Sequence, residues 1–377
     1  MPITGSQRHL FDIPDDVTYL NAAYLAPQLR ERHAAGIRAL NQADAPWTIS
    51  VETFFEPVER LRSLFAELIG GDAEGVAIVP AVSYGVGVAA ANLPVPSGRT
   101  VVVLAEQFPA NVYPWRAAID RDGGEIVTVR RPQQGAWTAS VLDAIDDRTA
   151  VVAVPNCHWT DGSLLDLLEV GKAARDVGSA LVVDATQSLG AMPFSVKTIQ
   201  PDFVVAAGYK WLLGPFGLGY MWVAPERRDG APIEENWITR FGADDFAGLV
   251  DYHDEYAPGA RRFDVGERSS FQLVPMATAA LEQILGWGID EVAQRLGSIT
   301  ATIEQMATER GLSTIEARAA HMIGVRGAKG LPNGVAARLR AERVYVSVRG
   351  DSIRVAPHLY NDTSDVDRLF SVLDTVL

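Results

Sequence analysis

Three segments decide how this chain reads: Ala180-Leu-Val-Val-Asp184-Ala-Thr-Gln-Ser-Leu-Gly190, then Asp202-Phe-Val-Val-Ala-Ala-Gly-Tyr-Lys210-Trp-Leu-Leu-Gly214, then Gly217-Leu-Gly-Tyr-Met-Trp-Val223. Each contains an apolar run of strand length, and two of the runs end at a break that carries an ionisable residue. Asp184 closes the first run. Lys210 follows the second after Gly208 and Tyr209, with Gly214-Pro215 beyond it. A lysine at the mouth of a buried sheet is costly in its charged form, so its pKa falls and its amine becomes nucleophilic. Such an amine suits Schiff-base formation with a carbonyl.

Outward from this stretch the same grammar repeats. Val76-Ala-Ile-Val79, Thr100-Val-Val-Val-Leu-Ala105, Glu125–Val129 and Thr149–Val154 read as strands, separated by helical segments near 138–145 and 164–177. Alternation of this kind predicts an α/β fold with a largely parallel sheet flanked by helices, and ligand chemistry at the strand ends. Phe55, Val58, Leu61, Leu64, Phe65 and Leu68 recur at helical spacing, and Gly70-Gly71 stops that helix. Pro80-Ala-Val-Ser83 links a strand to a helix, so free backbone N–H groups around Val82, Ser83 and Tyr84 would face a bound anion. Met276 to Trp287 reads as helix, and Ile323-Gly-Val, Val344-Tyr-Val-Ser-Val and Ser352-Ile-Arg-Val as short strands of a smaller C-terminal α/β domain. The expected division is an N-terminal segment, 1–30, that contributes to the site, a large domain over 31–262, and the C-terminal domain over 263–377.

Composition narrows the function. The 377 residues are 48% hydrophobic and 21% charged, which permits a large core. A net charge of -14 gives nucleic acid or an anionic membrane no reason to bind. No apolar run approaches the roughly 18–20 residues of a membrane span, and the first ten residues lack an apolar signal core. The single cysteine, Cys157, rules out an internal disulfide and fits a reducing cytoplasm. Six histidines and one cysteine show no metal-ligand spacing, so no metal is expected. Cys157 and His158 are adjacent in an extended segment and point oppositely, which argues against a nucleophilic pair.

The run Asp184-Ala-Thr-Gln-Ser-Leu-Gly-Ala191, with Tyr209-Lys-Trp-Leu212 placing its lysine 26 positions after the aspartate, resembles the class V aminotransferase family of fold-type-I pyridoxal phosphate enzymes. That group includes cysteine desulfurases, kynureninase-like lyases and isopenicillin-N-epimerase-like proteins. The resemblance implies pyridoxal 5'-phosphate on Lys210, Asp184 against its ring nitrogen, and Gln187 near its ring hydroxyl. Val82, Ser83 and Tyr84 stand at the family's phosphate turn. Gln107-Phe108 replaces the stacking histidine of desulfurases, so Phe108 offers a face but no proton. Tyr209 borders the cofactor beside Lys210. Trp159 aligns closest to a polar group that relatives place beside the ring hydroxyl, which leaves His158, Thr160 or a water for that role. Arg262-Phe-Asp-Val-Gly-Glu-Arg-Ser269 corresponds to a segment whose threonine reaches a partner subunit's cofactor phosphate; Glu267 stands there instead, so Arg268 or Ser269 must substitute. Val17-Thr-Tyr-Leu-Asn21-Ala-Ala-Tyr24 resembles the family's first strand and turn, with Asn21 and Tyr24 as candidate lining, and Arg354 is placed for the substrate α-carboxylate.

The implied protein is a cytoplasmic homodimer acting on the α-carbon of an amino acid, foremost as a transaminase. A β-eliminating C–S lyase or an epimerase would use the same residues, and a non-catalytic binding protein on this fold is the alternative of another class. Persulfide chemistry on a mobile C-terminal cysteine is disfavoured, because no cysteine follows Cys157.

Overall fold

The computed structural model describes residues 3–132, 137–328 and 330–376. A two-residue strand, β1 (Thr18–Tyr19), precedes two helices, α1 (Arg30–Ala43) and α2 (Val51–Ile69). α2 buries Val58, Leu61, Leu64, Phe65 and Leu68 along one stripe, and Gly70 ends it with φ 63°, a conformation that favours glycine. Strands and helices then alternate as β2 (Val76–Val79), α3 (Val82–Asn92), β3 (Thr100–Leu104), α4 (Tyr113–Asp122), β4 (Glu125–Val129), α5 (Trp137–Ala144) and β5 (Thr149–Pro155). The alternation continues through α6 (Leu167–Asp176), β6 (Ala180–Asp184), a single-turn α7 (Val196–Ile199), β7 (Phe203–Ala207) and β8 (Gly219–Val223).

These strands form one seven-stranded sheet in the order β2-β8-β7-β6-β5-β3-β4. Pairs from β4 to β7 are parallel, whereas β8 runs antiparallel to both β7 and β2. The connection from Ala207 to Gly219 is too short for a crossover helix, so β8 must return in the opposite direction. Helices cover both faces, and every residue of β2, β3, β6, β7 and β8 is buried, as expected of strands enclosed on both sides. The outer strand β4 instead exposes Glu125 and Thr128, a polar edge that resists pairing with another chain. The fold class read from the sequence is the one observed.

The rest of the chain comprises α8 (Leu273–Trp287), α9 (Ile289–Glu309), β9 (Ile323–Val325), α10 (Val335–Ala341), β10 (Val344–Tyr345), β11 (Ser347–Arg349), β12 (Ser352–Val355) and α11 (Thr363–Val376). β11, β12 and β9 make an antiparallel sheet. Two local expectations differ from the structure. The run from Val344 to Val348, read as one strand, splits between two sheets, because β10 pairs with β1 and β11 with β12. The helix expected from 164 begins at Leu167, since Leu164 bridges Cys157, Leu165 N–H donates to Asn156 O, and Asp166 caps the helix.

β1 therefore belongs to the C-terminal layer. Thr18 pairs with Val344, Asn21 bridges Ala356, and Ala26 N–H donates to Tyr209 O at 3.2 Å. The N-terminal segment thus ties the C-terminal sheets to the loop that carries Lys210. On the far side, the fully buried pair Arg62 and Asp264 pins β2, with Asp264 Oδ1 accepting from Ile78 N–H at 2.7 Å.

Candidate active site

Five strands of the large sheet end at one crevice, and the turns after them supply its walls. Val79 leads through Pro80 and Ala81 into α3, Leu104 into Phe108, Pro155 into Cys157 and Trp159, Asp184 into Thr186 and Gln187, and Ala207 into Tyr209 and Lys210; all of these turns line one pocket. Strand ends at a change of sheet order are where α/β folds open a ligand crevice.

The Lys210 turn is built by close backbone approach. Gly208 N–H donates to Leu218 O at 3.0 Å and Gly214 N–H to Gly208 O at 2.8 Å. A Cβ at Gly208 would stand 2.6 Å from Leu218 O, so no larger residue fits. Lys210 is 7% exposed. Burial pushes its pKa down to about 8, with the Arg354 charge adding to the fall and Asp184 opposing it. Its amine lies 5.3 Å from the centre of the Phe108 ring and 5.8 Å from that of Tyr209.

Asp184 is likewise buried, and burial raises its pKa against the pull of Thr186 and Lys210. One carboxylate oxygen accepts from Thr186 N–H at 3.1 Å, and among the described residues the carboxylate makes no ion pair. A carboxylate held this way favours a cationic or protonated partner in the pocket. Gln187 is tied on both sides: its amide N–H₂ donates to Ala23 O at 3.1 Å, and its oxygen accepts from the Trp211 indole at 2.8 Å. One amide hydrogen is left for a ligand.

The opposite wall is the N-terminus of α3. Ala81 at the cap position supplies no side-chain acceptor. Tyr84 and Gly85 N–H groups turn back to Ala81 O, while the N–H groups of Val82 and Ser83 have no such partner among the described residues. Together with the Ser83 hydroxyl they form an anion seat at the positive end of the helix. Tyr84 points away from it, its hydroxyl donating to Glu234 Oε2 at 3.2 Å.

Phe108 stands half-exposed at the mouth, edge-on to Trp159 at 5.5 Å. Gln107 turns inward to Asn111 O and Ala153 O. In the following loop Cys157 and Trp159 face the pocket while His158 faces away. The His158 ring stacks on Trp137 at 5.3 Å and its Nδ1 pairs with the Thr160 hydroxyl at 2.8 Å. Burial, reinforced by Arg131, pushes its pKa down to about 4. The Cys157 thiol is buried and its pKa strongly raised by that burial, which leaves it a poor nucleophile.

Arg354 lies beside the crevice on β12, 1% exposed. It donates to Trp159 O at 2.6 Å and, at 3.5 Å, to the Asn21 Oδ1 that also accepts from the Ser347 hydroxyl. Burial, with Arg349 adding, lowers its pKa to about 9, so it remains charged at neutral pH. Tyr24 is half-exposed and near enough to Tyr209 to raise the latter's pKa after burial and Asp184 have done so. Ser269 is outside this chain's own pocket, its hydroxyl bonded to Phe54 O, and Arg268 is held by Asp264 at 3.1 Å.

The structure therefore brings together Lys210, Asp184, Gln187, Val82, Ser83, Phe108 and Tyr209, with Arg354 and Asn21 behind the wall. It does not bring Tyr84, His158 or Ser269 into the same pocket. Thr186 and Trp159 are lining residues to which the sequence reading gave no role. Side alternation from Cys157 is the signal that could have placed Trp159 inward. Among the described residues no group of three or more histidine, cysteine or acidic side chains could hold a metal ion, and no helix is long and apolar enough to cross a membrane.

A buried carboxylate without a cation, an uncapped helix N-terminus and an amine between aromatic faces fit one cofactor, and with the fold they define a fold-type-I pyridoxal phosphate enzyme. The chain belongs to the class-V aminotransferase family, whose profile matches residues 48–369. It is 30% identical to a Bacillus subtilis protein named an uncharacterised aminotransferase, over 82% of this chain and 81% of that one. Isopenicillin N epimerase of Streptomyces clavuligerus is 26% identical, over 84% and 83%. Among solved structures, the cystine C–S lyase C-DES with cysteine persulfide superposes with a TM-score of 0.86 at 19% identity, covering 96% of this chain and 98% of that one. The apo cysteine desulfurase of Thermococcus onnurineus gives 0.85 at 18% identity, covering 100% and 99%. At those identities the structural likeness is one of fold.

Proposed function

We propose that this chain is a cytoplasmic homodimeric transaminase that works on the α-carbon of an amino acid. The observation that carries the reading is the buried pair Lys210 and Asp184, with the amine's pKa pushed down and the carboxylate's pushed up in one pocket. Two ionisable groups whose charged forms are both disfavoured by burial in one crevice mark a candidate functional site.

Lys210 would hold pyridoxal phosphate, with Val82 and Ser83 on its phosphate, Asp184 at its ring nitrogen and Phe108 over its face. That cofactor, when bound, supplies an electron sink for negative charge at the substrate α-carbon. Lys210, with its pKa near neutrality, is suited to take the α-proton and return it. Asp184 fixes positive charge on the far side of the pocket. Arg354 is suited to orient an α-carboxylate through its planar fork. Phe108 and Trp159 limit water at the mouth.

A thiol mechanism has little support, because Cys157 is buried and resists ionisation. The lone thiol suits a reducing compartment. Exposed Trp47, Trp237, Phe241 and Tyr252 supply apolar surface for a second subunit. Elimination or epimerisation would use the same residues, and turnover with and without a keto-acid acceptor separates them from transamination.

The test is direct. Borohydride treatment of the yellow holoprotein is expected to fix the cofactor covalently on Lys210, read by peptide mapping, and Lys210→Ala is expected to abolish both labelling and the cofactor's visible band. A cofactor fixed elsewhere, or no cofactor at all, overturns the enzymatic reading.

A further inference from the structure

Four arginines surround the outer wall of the crevice, and they divide into two kinds. Arg131 is neutralised by Glu106 and Asp161, each within 2.9 Å, and Arg326 by Asp161 and Asp351, both at 2.9 Å. Arg349 and Arg354 have no carboxylate partner among the described residues. Their polar contacts are carbonyl and amide oxygens: Val348 O at 2.9 Å for Arg349, and Trp159 O and Asn21 Oδ1 for Arg354. Each also keeps a buried Nε–H with no acceptor. Burial first, and then the Arg349 charge, lowers the pKa of Arg354, so leaving this buried guanidinium without a carboxylate beside a second one is costly.

The hairpin geometry explains how they meet. Arg354 on β12 pairs with Ser347, and Arg349 on β11 pairs with Ser352. Both side chains therefore leave the same face, as diagonal neighbours whose backbones are separated by about 7–8 Å. Trp159 lies between them. Its carbonyl accepts from Arg354, and its ring lies beneath the Arg349 guanidinium, 5.5 Å from ring centre to Cζ. The indole is fixed by donation to Glu106 O at 2.7 Å, and it also lines the Lys210 pocket. Arg354 is the inner member, fully buried; Arg349 is the outer, partly exposed at the lip. Two positive forks on one face, with an apolar plane between them, match a ligand with two carboxylates and a short apolar chain.

We infer that the substrate is an amino acid with a second, side-chain carboxylate, its α-carboxylate on Arg354 and its distal carboxylate on Arg349, and that Arg349 is the residue that sets this specificity. The inference rests on the amino-acid reading above and deepens it. Trp159 carries the carbon chain between the two forks. A mono-carboxylic amino acid would leave Arg349 unpaired and lose a charge-assisted, bidentate contact.

The experiment uses the holoenzyme and non-reacting probes, so binding is read without turnover. Glutarate is expected to bind at least tenfold more tightly than valerate by calorimetry in the native protein. Arg349→Gln is expected to bring the two affinities within about twofold, and Arg349→Lys to restore part of the difference, because it keeps the charge but not the fork. Retention of the cofactor's visible band in both variants reports intact folding. Equal binding of glutarate and valerate to the native protein, or a glutarate preference that survives Arg349→Gln, overturns the inference. A glutarate preference in a protein whose visible band responds to no amino acid supports the arginine pair while overturning the amino-acid reading. The two failures are therefore separable.

Discussion

The chemistry of Lys210 follows from where its amine is kept. A lysine in water is almost wholly protonated at neutral pH, whereas burial and the Arg354 charge bring Lys210 to about 8. The neutral amine is the form that attacks an aldehyde, so its abundance should rise with pH through 8 rather than through the ordinary 10.4 of lysine. Uptake of pyridoxal phosphate by the cofactor-free chain is expected to run at about a tenth of its plateau rate at pH 7 and to level off above about pH 9. Stopped-flow absorbance across pH 6 to 10 checks this, and a midpoint above 10 would show that the amine is solvated. The same residue-scale logic separates Cys157 from Lys210. Both are buried in one pocket, but burial favours the neutral form of each, which frees the amine's lone pair and removes the thiol's reactive anion.

At the level of elements, the crevice depends on turns that hold functional side chains against one another. Gly190 closes the turn after Asp184, with φ 94°, and a Cβ there would stand 2.3 Å from Trp211 O. Trp211 in turn holds Gln187. Gly190→Ala is therefore expected to cost about 1–3 kcal/mol from the backbone conformation alone and to weaken cofactor retention. A lowered denaturant midpoint together with cofactor loss on dialysis checks this; unchanged values would mean that the turn relaxes freely. Such turns also mark how much the sequence discloses. Asp184 and Lys210 were legible because apolar strands end at them, and Val82 and Ser83 because a strand runs into a helix there. His158 was favoured over Trp159 by side-chain polarity, yet side alternation from Cys157 turns the indole inward. The break between Tyr345 and Ser347 was not legible, since the partner of β10 lies in β1, far away in sequence. Ser269 and Tyr84 carried family expectations, while the contacts that hold them, Phe54 O and Glu234, are tertiary.

Across the whole molecule, a strongly acidic protein keeps three cations around one crevice: Lys210 within it, Arg354 buried behind its wall, and Arg349 partly exposed on the outer side of Trp159. Local positive charge within a negative surface favours anionic ligands at that mouth and disfavours them elsewhere. Exposed aromatics follow a different logic. Tyr252 is 96% and Trp47 83% exposed, and aromatic side chains are enriched where protein surfaces meet. Covering them with a second copy would give a particle of twice 40.7 kDa. Light scattering at micromolar concentration is expected to find that mass, and a species of 40.7 kDa alone would remove the homodimer from the proposed function.

The pairing of β1 with β10 also orders events in time. A ribosome delivers Thr18 early and Val344 late, yet the two are parallel neighbours, and Asn21 waits for Arg354. The large sheet has all its strands once Val223 has emerged, but the guanidinium wall requires residues more than a hundred positions later. At typical elongation rates that interval is on the order of ten seconds. During it the nascent chain displays Lys210 and the N-terminus of α3 without Arg349 and Arg354. With the proposed carboxylate role of those arginines, cofactor capture precedes substrate competence, and a stalled chain ending before Val344 is expected to trap pyridoxal phosphate without responding to any amino acid.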